Sequence, residues 1–116
     1  MKTFAGLLIA AFVITSCSKD KAETVKVRFV TTGIDVTQFK FTTGAFVSDK
    51  EVPFSGMEDT TIMVARGTMV KLDSKANSSN LAGQIFVNDD QVVGGTDTDI
   101  DGDGKSQVKI EYSIPK

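Results

Sequence analysis

From Thr24 onward the chain alternates apolar and polar residues with the two-residue period of a half-buried β-strand. Val25-Lys26-Val27-Arg28-Phe29 places valine, valine and phenylalanine on one face and two cations on the other. Thr37-Gln38-Phe39-Lys40-Phe41 repeats the pattern with Phe39 and Phe41 inward. Near the end, Val108, Ile110, Tyr112 and Ile114 face one way, while Lys109, Glu111 and Ser113 face the other. Further strands are expected near Ala45–Ser48, Thr60–Ala65, Met69–Lys75, Gly83–Asn88 and Gln91–Val93. Turn signals fall between them at Thr32-Gly33, Thr43-Gly44, Ser55-Gly56, Arg66-Gly67, Asn88-Asp89-Asp90 and Gly94-Gly95. No window long enough for a helix carries a 3.6-residue period. Short strands with frequent turns predict an all-β fold: one small immunoglobulin-like β-sandwich of seven or eight strands over residues 24–116. The expected core comprises Val27, Phe29, Phe39, Phe41, Ile62, Val64, Leu72, Ile85, Val87, Ile110 and Tyr112, and Phe86 is expected with them.

The first 23 residues follow a different pattern. Lys2 precedes an apolar run from Phe4 to Ile14, which ends in Ile14-Thr15-Ser16-Cys17. The run is too short for the ~20 residues that cross a bilayer as a helix. A charged start, a short apolar stretch and small residues at its end read as a signal peptide. The tetrapeptide resembles the lipobox of bacterial lipoproteins. The resemblance implies that the Cys17 thiol receives a lipid, that residues 1–16 are removed, and that the new N-terminal amine is acylated with a palmitate-type chain. Two or more chains make membrane attachment stable where one does not. The competing reading, a free thiol within an ordinary secretory signal, leaves a cysteine at the cleavage point without a purpose. Residues 17–23 then form the lipidated cysteine and a polar tether, which spans about 20 Å when extended. The expected location is the bacterial envelope, most simply the outer membrane, on its periplasmic or surface face.

Composition narrows the chemistry. Cys17 is the only cysteine, and the chain has no histidine and no tryptophan. Imidazole catalysis and imidazole metal ligands are therefore absent, and an acylated Cys17 is no nucleophile. No motif arranges the remaining Ser, Thr, Asp, Glu, Lys and Tyr112 into a catalytic set, so no enzyme is expected. Of 13 basic residues, Lys2 leaves with the signal, so 12 face 15 acidic residues in the mature chain. That balance and the lack of a basic patch argue against a nucleic-acid partner. The expected partners are the membrane, through the lipid, and an envelope protein or glycan.

The acidic loop is the one candidate ligand site. Asp97, Asp99, Asp101 and Asp103 alternate through Thr96-Asp97-Thr98-Asp99-Ile100-Asp101-Gly102-Asp103-Gly104. From Asp99 this reads as the opening of a calcium loop, because alternate carboxylates on a chain curled by glycine can converge on one hard cation. The second half of an EF-hand is missing: Ile110 stands at position twelve and Glu111 one place late. Two readings stay open, a weak non-EF calcium site and a solvated hairpin connection in which Asp-Gly pairs favour tight turning.

The order of elements is similar to that of the MmpS family of small membrane-anchored proteins. The likeness runs through the strand Val27–Gly33, the step Val52-Pro53-Phe54, the strand Ile62–Gly67 and the aliphatic hairpin Ile85-Phe86-Val87 with Gln91-Val92-Val93. Phe54 stands where the family has tryptophan, and Asn88-Asp89-Asp90 stands where it has Asp-Gly. Family members are usually held by a transmembrane helix rather than a lipid. The resemblance implies an immunoglobulin-like sandwich and offers, as one function, an accessory subunit of an envelope exporter. A calcium-stabilised adhesion or surface component is the other alternative to a general binding module.

Overall fold

The computed structural model describes residues 23–98 and 102–116. Cys17 and its signal segment, Asp99 and Asp101 lie outside the described residues. Seven antiparallel strands are present: β1 (Thr24–Thr43), β2 (Phe46–Asp49), β3 (Phe54–Ala65), β4 (Met69–Ala76), β5 (Leu81–Val87), β6 (Asp90–Asp97) and β7 (Ser106–Ser113). They form one hydrogen-bonded sheet that is nearly barrel-shaped, and the all-β expectation holds.

The 20-residue β1 organises the rest. Along one side it pairs with β3 over Thr24–Gly33 and with β2 over Lys40–Thr43, the two partners following each other along the same edge. Along the other side it pairs with β5 over Val27–Gly33 and with β4 over Val36–Thr43. Val36 shows the arrangement directly, since it faces Phe54 on one flank and Ala76 on the other. β6 continues outward from β5, and β7 outward from β4. The sheet is thus four ribbons wide, and each ribbon beside β1 is interrupted near its middle.

At that middle line the sheet folds over. β3 ends opposite Thr24 while β4 starts near Thr43, yet only Arg66, Gly67 and Thr68 join them. Three residues cover ~10 Å, whereas a flat β1 would hold its ends about 60 Å apart. The ends of β1 are therefore brought together: Arg66 N–H donates to Glu23 O at 3.0 Å and Gly44 N–H to Met69 O at 2.9 Å. The bend lies at Ile34-Asp35. There the β1–β3 register slips, with three steps along β1 (Gly33 to Val36) against two along β3 (Gly56 to Phe54). Asp35 adopts φ 53°. Its N–H donates to Ser55 Oγ at 2.9 Å, and its carbonyl accepts Asn77 N–H at 2.9 Å, so both ribbons beside β1 hold the bulge. Gly56, at φ 109°, lies opposite Gly33 next to the bend, in a backbone region that side chains rarely enter.

Folding brings the two halves of β1 face to face. Phe29 stacks on Phe41 with ring centroids 5.1 Å apart, and Phe39 meets Phe41 and Phe54 at 6.2 and 6.3 Å. Val25, Val27, Phe29, Phe39, Val64, Val70, Leu72, Ile85 and Ile114 make the main core, with Phe41, Ile62, Val87, Ile110 and Tyr112 packed against it. A second cluster of Val36, Ala76, Leu81 and Val108 fills the fold line. Every residue expected in the core except Phe86 is buried or packed against it. At the centre, Thr31 Oγ1 and Ser74 Oγ lie 2.6 Å apart, both fully buried, and join one half of the sheet to the other.

The open flank narrows through glycine. Gly83 and Gly95 pair across β5 and β6. A Cβ at Gly83 would meet Val108 and Leu72 at 3.0 and 3.1 Å, and one at Gly95 would meet Ile110 at 3.2 Å. The missing side chains let β7 pack directly onto β5 and β6, which gives the sheet its barrel-like form.

Several expectations need correction. Thr32-Gly33 is no turn, because β1 runs through it and only bends. Ser55-Gly56 lies inside β3 and Gly94-Gly95 inside β6. The turns at Thr43-Gly44, Arg66-Gly67 and Asn88-Asp89 are present. In the last, Asn88 (φ 49°) and Asp89 (φ 73°) both take left-handed values, the geometry of a two-residue type I′ hairpin. Phe86 is half-buried on the outer face rather than in the core: Ile85 holds the inward position, so Phe86 points outward beneath Arg28, whose guanidinium carbon lies 5.4 Å from its ring centre.

Two substitutions test this arrangement. Phe39→Ala empties a fully buried site and should cost about 3–5 kcal/mol, seen as a lowered midpoint in denaturant unfolding. Thr31→Val leaves the Ser74 hydroxyl without its partner and should cost about 1–3 kcal/mol, whereas Thr31→Val with Ser74→Ala should recover most of that loss. An additive double variant would mean that the two hydroxyls do not act as a pair.

Candidate functional site

The acidic segment joins β6 to β7 at the fold line, where the ribbons turn from one half of the sheet to the other. Asp97 closes β6 opposite Leu81. Its Oδ2 accepts the Gln107 N–H at 2.8 Å, which ties the end of β6 to the start of β7. Asp103 Oδ1 accepts the Lys105 N–H at 2.9 Å, a local turn of the kind short acidic side chains form. Gly102 and Gly104 flank it at φ 73° and 78°. Beneath the loop, Ser106 is almost fully buried and its hydroxyl donates to Ser78 O at 2.6 Å, anchoring β7 to the β4–β5 connection.

These contacts border an open cleft of about 750 Å³. Asp97 and Asp103 line it together with Lys75, Lys105, Asn77 and Thr37. Two carboxylates and two ammonium groups make a wall of mixed charge, which can hydrogen-bond a polar ligand but presents no dominant field. The structure therefore brings two of the four sequence-predicted residues, Asp97 and Asp103, to one cavity; Asp99 and Asp101 lie outside the described residues. Among the described residues no three His, Cys, Asp or Glu side chains form a group that could hold a metal ion.

Thr37 and Lys75 have no place in the acidic motif. They reach the cleft because β1 resumes after its bend where β4 ends, Val36 opposite Ala76, a long-range coincidence with no local signal. A second feature also escapes the sequence pattern. On the outer face, Arg28 Nε donates to Asp59 Oδ2 at 2.7 Å while the same guanidinium covers Phe86. Val30, between Asp59 and Gln84 in register, is 2% exposed although its parity faces outward. A third is an apolar groove of about 470 Å³ at the bend, lined by Gly33, Ile34, Gly56, Leu81 and Ala82, with Ile34 61% exposed.

No protein-family model matches this chain, and no curated protein or solved structure is similar enough to place it.

Proposed function

We propose that the chain is a non-enzymatic lipoprotein of the bacterial cell envelope, anchored through Cys17, whose folded domain binds an envelope protein or glycan. The observation that carries this reading is the box Ile14-Thr15-Ser16-Cys17 behind Lys2 and a short apolar run. The start of β1 at Thr24 supports it, because residues 18–23 are left to bridge lipid and domain. The position of the cleft supports a binding role. The tether joins at Glu23, and the cleft lies at the fold line ten residues of strand away, roughly 30 Å at 3.3 Å per residue. A ligand would meet the cleft on the side remote from the membrane. The facing halves of the sheet favour an immunoglobulin-like classification, with the difference that β1 crosses both halves.

Mass spectrometry of the protein from its native membrane tests the anchor. The expected mass is that of residues 17–116 carrying acyl chains, and Cys17→Ala should accumulate as uncleaved precursor or as a soluble domain. A free Cys17 thiol in the native protein would overturn the reading.

A calcium-stabilised surface component is the second reading, favoured by the convergence of Asp97 and Asp103 on one cleft. With an incomplete ligand set, the expected dissociation constant is on the order of 10⁻⁴–10⁻³ M, as for extracellular modules. Calcium at one hundred times that constant should stabilise the domain by ~2.7 kcal/mol. Thermal unfolding in millimolar calcium against chelator measures it. Magnesium should do less, since it releases water reluctantly, and Asp101→Asn with Asp103→Asn should remove the shift. Identical midpoints with calcium and chelator would leave the loop a solvated connection.

A further inference from the structure

Among the described residues β3 is the longest strand with a single neighbour. Among those residues it pairs only with β1, and no other described element lies beside it. Its free edge follows from the ladder. Arg66 N–H donates to Glu23 O, so Val25–Val64, Val27–Ile62 and Phe29–Thr60 are the hydrogen-bonded pairs of that side. The amides and carbonyls of Met57, Asp59, Thr61 and Met63 therefore point away from β1, toward solvent.

Exposed edges are usually blunted by lysine, proline or a bulge. Between Met57 and Ala65 there is none of these. The two acids on this stretch are engaged within the molecule: Asp59 with Arg28 at 2.7 Å, and Glu58 with Lys50 at 3.8 Å. Met57 and Met63 are 56% and 63% exposed, and they share the outer face with Asp59 and Thr61. The other edges differ. β2 is four residues long and runs into Lys50, Glu51 and Pro53, while β7 is packed onto β5 and β6 through the glycine pair.

We propose that β3 is a homodimerisation edge, pairing antiparallel with β3 of a second copy about a two-fold axis at Thr60. The register is set by self-complementarity. Met57 and Met63 lie three residues either side of Thr60, so the two-fold places each methionine opposite the partner's other one. In the same register Asp59 falls opposite Thr61 and Glu58 opposite Ile62, and no two acids oppose each other. The backbone agrees: Met57 with Met63 and Asp59 with Thr61 become hydrogen-bonded pairs through the very groups that point outward. Thr60 meets its own copy in a non-hydrogen-bonded pair. An isologous contact of this kind closes on itself and does not propagate into fibres. One strand against one strand buries less than the ~800 Å² per partner of a standard interface, so the dimer should depend on concentration. It is independent of the lipid anchor.

The test uses the full chain purified in detergent and carrying Cys17→Ala, so that any disulfide reports the introduced cysteine alone. Non-hydrogen-bonded antiparallel pairs hold their Cα atoms ~4.5 Å apart, within reach of a disulfide. Thr60→Cys should therefore give a covalent dimer on mild oxidation. Thr61→Cys, whose two copies would stand diagonally at more than about 7 Å, should give little. Met57→Lys with Met63→Lys should leave thermal unfolding unchanged and raise at least tenfold the concentration at which light scattering reports dimers. No covalent dimer from Thr60→Cys, equal yields from the two cysteine variants, or dimerisation unaffected by the lysines would each overturn the proposal.

Discussion

Asp35 holds a left-handed backbone in the middle of a 20-residue strand, and the two halves of the molecule face each other because it does. Such a conformation is unfavourable for most residues and is tolerated by aspartate and asparagine. Here it is stabilised from both flanks, since Ser55 accepts from its amide and Asn77 donates to its carbonyl. Without the extra residue the alternation would run through unbroken and β1 would stay straight. Phe29 and Phe41 would then lie on one open face, about 40 Å apart at 3.3 Å per residue, instead of stacking. The facing of the two halves thus rests on the bend at Asp35, whose polar groups are satisfied by neighbouring ribbons.

The remaining features serve that closure. Thr31 and Ser74 place a directional contact in an otherwise apolar centre, and so favour one alignment of the two halves over a sliding set. Gly83 and Gly95 let the flank of β7 approach without a side chain in the way. Closure is uneven, however. It is tight where β6 and β7 meet and absent beside β3, so the described residues form one protected flank and one whose backbone pairs with no other described strand.

Much of this was legible in the chain, for a definite reason. Inward positions on β1, β4 and β7 alternate with charged ones, and a period of two reports burial without knowledge of the partner strand. Two slips in β1 register, at Gly33/Val36 and Val36/Gln38, return Phe39 and Phe41 to the parity of Val27 and Phe29. The pattern therefore looks like two separate strands. Glycine was ambiguous for a related reason: Gly44 and Gly67 mark turns, whereas Gly33 and Gly83 mark close approach, and composition does not distinguish these demands. Phe86 was misplaced because Ile85-Phe86-Val87 is apolar throughout and carries no parity. At the site, the carboxylates of Asp97 and Asp103 stood out in sequence, but the cleft itself depends on β1, β4, β6 and β7 meeting, strands far apart in the chain.

The last residues return to where the described chain begins. Ile114 N–H donates to Thr68 O, Gly67 N–H to Ile114 O, and Arg66 N–H to Glu23 O, so a single short turn touches both the start of β1 and the segment after β7. Such proximity means that the order of strands in the gene is not bound to their order in space. Residue 116 could be joined to residue 23 by a brief linker and the chain reopened within 98–105, with every strand pairing kept. The sheet would then begin at β7, and the long β1 would be reached only after the short outer strand. Such a circular permutant would separate what β1 contributes by preceding the other described strands from what it contributes as the central ribbon of the finished sheet.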